Sequence, residues 1–201
     1  MPENAAIKRL DHRIIADLVA PGSKVLDLGC GTGELLQILM TEKDAEVEGV
    51  EKDESGIMAC VAKGVSVFHS DIESWVLDYP DDTFDYVILN QTMQEIKQVD
   101  QVLQYALRIG QKVIVGFPNF AHISARLSIM FAGKVPVTKA LPHTWYDTPN
   151  IHFLSILDFE DYCKAKGVTV EKAHFLGKDR RVGALPNLFA LNAIFVIRKR
   201  T

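Results

Sequence analysis

Residues 25–33, Val-Leu-Asp-Leu-Gly-Cys-Gly-Thr-Gly, run an apolar segment carrying one carboxylate into three glycines at alternate positions. A short apolar run that breaks into glycine in this way reads as a buried parallel strand opening into a tight nucleotide-binding turn. Gly29, Gly31 and Gly33 permit positive φ and let the backbone approach a ligand, where a Cβ would strain the turn or fill the site. Cys30 lies inside the turn, with packing as its expected role. The following Glu34-Leu-Leu-Gln-Ile-Leu-Met40 reads as a largely buried helix whose first amides point back at the turn. A dinucleotide fold of the Gly-x-Gly-x-x-Gly type needs glycine at position 34, where this chain has Glu34, so the pyrophosphate fingerprint fails.

The segments downstream repeat the pattern of strand followed by helix. Glu46–Glu51 reads as a second strand, and Glu51, followed by Lys52, stands where nucleoside-binding doubly wound folds place an acid to accept from ribose hydroxyls. Val65–Ser70 is a third strand, with Asp71 and Ile72 next in the chain, and Phe84–Asn90 is a fourth. Lys112–Phe117, Thr169–Leu176 and Leu191–Arg198 complete seven strands. Ile7, Leu10, Ile14 and Leu18 recur at helical spacing before Pro21-Gly22, giving a first helix expected to close over the cofactor. Val99, Val102, Leu103, Ala106 and Leu107 form another helical face ending at Gly110. Ser155-x-x-Asp158 has the spacing of a capping box for a helix that carries Phe159, Tyr162 and Cys163 to a stop at Gly167. This order implies an α/β fold with a doubly wound, mostly parallel, seven-stranded sheet.

With 201 residues and 48% hydrophobic content, the expectation is a single domain over 1–201. The formal net charge of −4 argues against binding nucleic acid by phosphate neutralisation. No apolar run approaches a membrane span or a signal-peptide core, so the expected location is cytoplasmic. Cys30, Cys60 and Cys163 are scattered without a Cys-x-x-Cys pair, which fits a reducing compartment and implies no metal site.

The stretch 118–152 is longer than an ordinary connection and reads as an insert with a function of its own. Ile123, Leu127, Met130 and Phe131 suggest a short amphipathic helix stopped by Gly133. Pro118, Pro136, Pro142 and Pro149 stiffen the remainder, while Trp145, Tyr146, Asp147, Asn150 and His152 supply aromatic faces and hydrogen-bonding tips. The expected role is an acceptor pocket or a partner-docking lid, against the alternative of a packed surface excursion.

Gly-x-Gly-x-Gly with a carboxylate two residues upstream resembles motif I of class I S-adenosylmethionine (SAM) methyltransferases. The resemblance implies SAM or S-adenosylhomocysteine (SAH) held by Asp27, Gly29, Cys30, Gly31 and Gly33 at its amino acid end. By the same likeness Glu51 and Lys52 lie at the ribose, Asp71 and Ile72 at the adenine, and Asn90 beside the sulfonium. Beyond these motifs, Phe117-Pro-Asn-Phe, Pro136-Val-Thr-Lys-Ala-Leu-Pro and Thr144-Trp-Tyr-Asp-Thr-Pro-Asn-Ile-His are similar to the MetW family of methionine biosynthesis proteins. That likeness, from about Ile14 to Val196, implies a role beside the homoserine O-acyltransferase MetX. Two classes of function stay open: a SAM-binding partner of the acyltransferase, or a methyltransferase of a small-molecule acceptor. An NAD-dependent oxidoreductase is the weakest reading because of Glu34. For methyl transfer, Asn90 and Gln91 are positioned to orient an acceptor, with His122, Tyr146, Asp147 or His152 as base.

Overall fold

The computed structural model describes residues 3–75, 79–138 and 141–200. Helices α1 (Glu3–Leu18), α2 (Glu34–Lys43), α3 (Glu54–Ala62), α4 (Ile72–Trp75), α5 (Val99–Ile109), α6 (Ile123–Leu127), α7 (Ile156–Lys166) and α8 (Pro186–Phe189) surround one sheet. Its strands are β1 (Lys24–Leu28), β2 (Glu46–Glu51), β3 (Ser66–His69), β4 (Phe84–Asn90), β5 (Gly110–Pro118), β6 (Val168–Leu176) and β7 (Asn192–Lys199), in the order β3-β2-β1-β4-β5-β7-β6. β1 to β5 pair in parallel, and β7 runs antiparallel to both of its neighbours, forming a terminal hairpin with β6. The strand order reverses direction between β1 and β4, which opens a crevice at the carboxyl ends of those strands.

Strand period 2 distributes the core over both faces. Leu26 and Leu28 of β1 point into the layer of α5 and α7, where Phe117, Phe159 and Phe195 pack ring against ring with centroids 4.9 to 5.9 Å apart. Val25 of β1, Ile88 of β4 and Ile114 of β5 point the other way, onto Ile14, Ile15 and Val19 of α1 and Leu35, Leu36 and Leu39 of α2. Asp27 therefore sits on the α1 face, two residues after Val25, and Asn90 on the same face, two residues after Ile88. Of the α1 stripe read from the sequence, Leu10, Ile14 and Leu18 pack here, while the side chain of Ile7 lies outside the described residues.

Two local readings are sharpened by the tertiary structure. Gly110 ends α5 without a left-handed cap: at φ −115° it is already extended and pairs with Phe84, so β5 starts two residues earlier than its sequence pattern indicates. A Cβ there would lie 2.7 Å from Val87 Cγ2, which is why glycine is needed despite ordinary dihedrals. Gly133 and Gly167, by contrast, do cap their helices in the left-handed conformation, at φ 62° and 66°. The Ser155 capping box forms as expected, with Ser155 Oγ accepting from Asp158 N and Asp158 Oδ2 accepting from Ser155 N.

The insert is fastened at its base and open at its tip. Buried Asn119 donates through Nδ2 to the carbonyls of Asn187 and Ala190, Phe120 N donates to Leu154 O, and Ile151 N and His152 N both donate to Gln94 O. α6 continues into a π-helical turn over Ser128–Ala132. The apolar face expected of this helix is largely solvent-exposed: Met130 and Phe131 are each 76% accessible, and Leu127 and Ile129 are also exposed. Lys139 and Ala140 of the insert lie outside the described residues.

Candidate functional site

The glycine turn adopts the geometry its composition dictates, with Gly29, Gly31 and Gly33 at φ 85°, 54° and 73°. A Cβ on Gly29 would approach Thr92 Cγ2 to 2.6 Å and one on Gly33 would approach Cys60 Sγ to 2.8 Å, whereas at Gly31 it would meet nothing within 4 Å. Gly31 is thus the point at which the turn faces open space. The turn is anchored by Gly29 N and Cys30 N donating to Val50 O and by Lys63 Nζ donating to Thr32 O. Cys30 is buried, with its Sγ 3.8 Å from Cys60 Sγ, and burial pushes its thiol up, with Asp27 adding to the shift.

Glu51 is the keystone of this loop. One carboxylate oxygen accepts from Gly31 N at 2.8 Å and the other from Lys52 N and Asp53 N, both at 2.9 Å. Three backbone amides are therefore satisfied by a side chain for which a ribose role was expected, and Glu51 shapes the turn before any ligand arrives. Asp53 caps α3 in turn, accepting from Ser55 N.

A cleft of two lobes opens at the crevice. The first, about 220 Å³, is lined by Gly29, Val50, Glu51, Lys52, Asp71 and Ile72 among others, and the second, about 210 Å³, by Asp11, Asp27, Cys30, Gly31, Glu34 and Asn90 among others. Gly29 and Gln91 border both. All of the cofactor-binding residues expected from the sequence except Gly33 line one lobe or the other; Gly33 packs behind the turn on Cys60. Asp71 also caps α4, its Oδ1 accepting from Glu73 N at 2.8 Å.

Asp27 is 3% accessible, and its Oδ1 has no hydrogen-bond partner among the described residues. Burial, reinforced by the Glu51 charge, raises its carboxyl to about 7. A buried carboxylate left unpaired is costly, and a positively charged ligand group is the chemistry that satisfies it. Sequence reasoning missed Asp11, also 3% accessible, on the buried stripe of α1. Its Oδ2 accepts from Asn90 Nδ2 at 3.0 Å, and burial raises its carboxyl despite that bond. Asp11 precedes Ile14, Ile15 and Leu18 at the i, i+3, i+4, i+7 spacing, so an acid inside an apolar helical stripe was the available signal.

Of the acceptor-side residues, Asn90 and Gln91 border the cleft as expected, while the four bases considered lie away from it. Asn90 is engaged by Asp11, and Gln91, at φ 59°, donates from its backbone to Gly116 O and through Nε2 to Asn192 Oδ1. His122 caps α6 through Nδ1, and burial lowers its imidazole. Asp147 accepts from Thr144 Oγ1 at 2.6 Å, which holds its carboxyl below the usual range, and exposed Tyr146 packs edge-on against Trp145. His152 lies in an apolar groove with Met93, Leu103 and Phe159. None of the four bases considered is among the residues lining either lobe.

Similarity to known proteins follows this architecture. The putative S-adenosylmethionine dependent methyltransferase of Listeria monocytogenes superposes with a TM-score of 0.71 at 14% identity, covering 98% of both chains. The [4+2]-cyclase SpnF superposes with a TM-score of 0.67 at 16% identity, covering 96% of this chain and 81% of that one. At these identities the likeness is one of fold, the class I SAM methyltransferase fold. Sequence similarity is more specific. The bifunctional methionine biosynthesis protein MetXA/MetW of Rhodopirellula baltica is 32% identical over 180 residues, which cover 85% of this chain and 29% of that protein. The chain spans less than half the length of the curated relatives it matches, from 29% to 45%. A family described as methionine biosynthesis protein MetW matches residues 9–197, a span that takes in the glycine turn, the strand-end acids and the insert. The chain belongs to the MetW family.

Proposed function

We propose that this protein is a SAM- or SAH-binding subunit that associates with a homoserine O-acyltransferase of the MetX kind and supports homoserine acylation in methionine synthesis. The observation that carries the partnership is the relative in which a MetXA and a MetW unit share one chain. Two activities joined covalently in one organism are commonly joined by an interface in another. The exposed apolar insert supports the same reading, since Met130, Phe131, Trp145 and Tyr146 present large exposed side chains on one segment. The cleft supports the ligand: unpaired Asp27 fits the ammonium of an amino acid, open Gly31 gives backbone access, and Glu51, Asp71 and Ile72 border a lobe suited to a nucleoside. When bound, SAM supplies an electrophilic methyl group. The residues here bind and orient it.

A methyltransferase of a small-molecule acceptor is the second reading, favoured by the methyltransferases among the proteins of similar fold. The cyclase of the same fold weakens the inference from architecture to methylation. Titrating the purified chain into the acyltransferase while following acylation and SAM consumption together separates the two. A partner subunit raises acylation saturably without consuming SAM. Multiple-turnover methylation of a defined metabolite, with no binding to or effect on the acyltransferase, overturns the proposal.

A further inference from the structure

Asp11 and Asp27 come from different elements and meet at one lobe of the cleft. Both are 3% accessible, and Asp27 Oδ1 is unpartnered among the described residues. Asn90 links the two elements, donating Nδ2 to Asp11 while its own buried Oδ1 is also without a partner among those residues. Glu34 and His12 line the same lobe, and no Lys or Arg does among the described residues. Two buried carboxylates line one lobe of about 210 Å³, and a ligand carrying one positive charge neutralises only one of them. SAM carries two positive centres, the α-ammonium and the sulfonium. SAH keeps the ammonium and has a neutral sulfur.

We infer that Asp11 is a second ligand-facing carboxylate of the cleft, and that the Asp11/Asp27 pair makes the protein select SAM, whose sulfonium adds one positive charge to the amino acid zwitterion, over SAH. The inference rests on the cleft being a SAM site, and gives that site the ability to report methylation state instead of adenosyl content. Asp11 acts as a specificity determinant through charge, and its hydrogen bond to Asn90 fixes its carboxylate. Replacing it by the isosteric amide keeps an acceptor for Asn90 Nδ2, removes the charge and gives up the second oxygen that accepts from His12 N at 2.9 Å.

The test is calorimetric titration of the full chain with SAM, SAH and sinefungin, in which an amine-bearing carbon replaces the sulfonium. Wild type is expected to bind SAM and sinefungin more tightly than SAH. Asp11→Asn is expected to lower SAM and sinefungin affinity by about tenfold or more, the scale of a lost contact to a buried charge, while SAH affinity stays within about twofold. Equal loss for all three ligands would assign Asp11 a packing role and overturn the inference, as would a variant with unchanged SAM affinity. The wild-type ratio is decisive even when the variant does not fold, because SAH binding as tight as SAM also overturns it. Wild type that binds neither ligand refutes the cofactor reading itself.

Discussion

The glycine turn with its strand-end acids and the insert over 118–152 break the same rule in opposite directions. In the cleft, Asp11 and Asp27 are polar groups buried beneath α1, one of them with an unsatisfied oxygen. In the insert, Met130, Phe131 and Trp145 are apolar groups left 74% to 76% accessible. Each arrangement costs stability, because folding favours apolar burial and paired polar groups. The cleft compensates by anchoring its turn: Glu51 takes the amide of Gly31, and Val50 O takes those of Gly29 and Cys30. Among the described residues the insert is anchored at Asn119, Phe120, Arg126 and residues 151–154, and its tip packs mainly on itself. A rigid polar cavity fits a small charged ligand, and an apolar surface on a fastened base fits a macromolecular partner.

The largest expected effect tests the cost side of the cleft. Asp27 is protonated in both folded and unfolded chains at low pH. As pH rises from about 4 to about 7 the unfolded chain loses its proton first, so stability falls through that window and stays low above it, by on the order of 4 kcal/mol at ~1.36 kcal/mol per unit. Asp27→Asn should therefore raise the unfolding free energy of the ligand-free protein at pH 8 while weakening SAM binding, measured by denaturant titration and calorimetry. A variant equally destabilised with and without ligand would remove the cleft from the comparison.

Next comes the turn. Gly33→Ala combines left-handed strain with a Cβ 2.8 Å from Cys60 Sγ and 3.4 Å from its Cα, and should cost about 3 kcal/mol. A loss below about 1 kcal/mol would mean that the turn is not rigid in the sense claimed.

The insert should respond in the opposite manner. Trp145→Ala and Phe131→Ala are expected to change stability by less than ~0.5 kcal/mol and to weaken acyltransferase binding by about 2 kcal/mol or more, read by thermal melts and binding titrations in parallel. If binding falls only in proportion to early melting, the segment is a packing device.

The smallest stability effect sharpens the cleft again. Gly31→Ala meets no atom within 4 Å, so only its backbone strain of about 1 kcal/mol should appear in unfolding, whereas ligand affinity should fall more because the new methyl points into the cavity. Equal, small losses in both measurements would show that the ligand does not approach Gly31.

Much of the fold was legible in the sequence because its signals are local. Alternate glycines, the Ser155-x-x-Asp158 spacing and the apolar stripe of α5 each constrain a few neighbouring dihedrals or one helical face, and the structure realises all three. Less legible were the features that depend on distant partners. Gly110 looks like a helix stop by itself, yet its extended geometry follows from the approach of Val87 on β4. The amphipathic reading of Ile123, Leu127, Met130 and Phe131 found the helix and its stop at Gly133 and left open whether its apolar face is packed or presented to a partner; the structure leaves that face exposed.

The sequence by itself determined seven strands, their mostly parallel winding and an acid at the carboxyl end of each of the first strands, because period, turn chemistry and apolar runs act within a few residues of chain. Only the tertiary structure decided that Asp11 of α1 lies against Asn90, 79 residues away, above an unpaired Asp27. Helical periodicity places Asp11 on the buried stripe, and strand periodicity places Asp27 and Asn90 on one face. Which stripe covers which face is settled by the packing of Ile14, Ile15 and Val19 against Val25, Ile88 and Ile114, a contact between segments that carry no local information about each other.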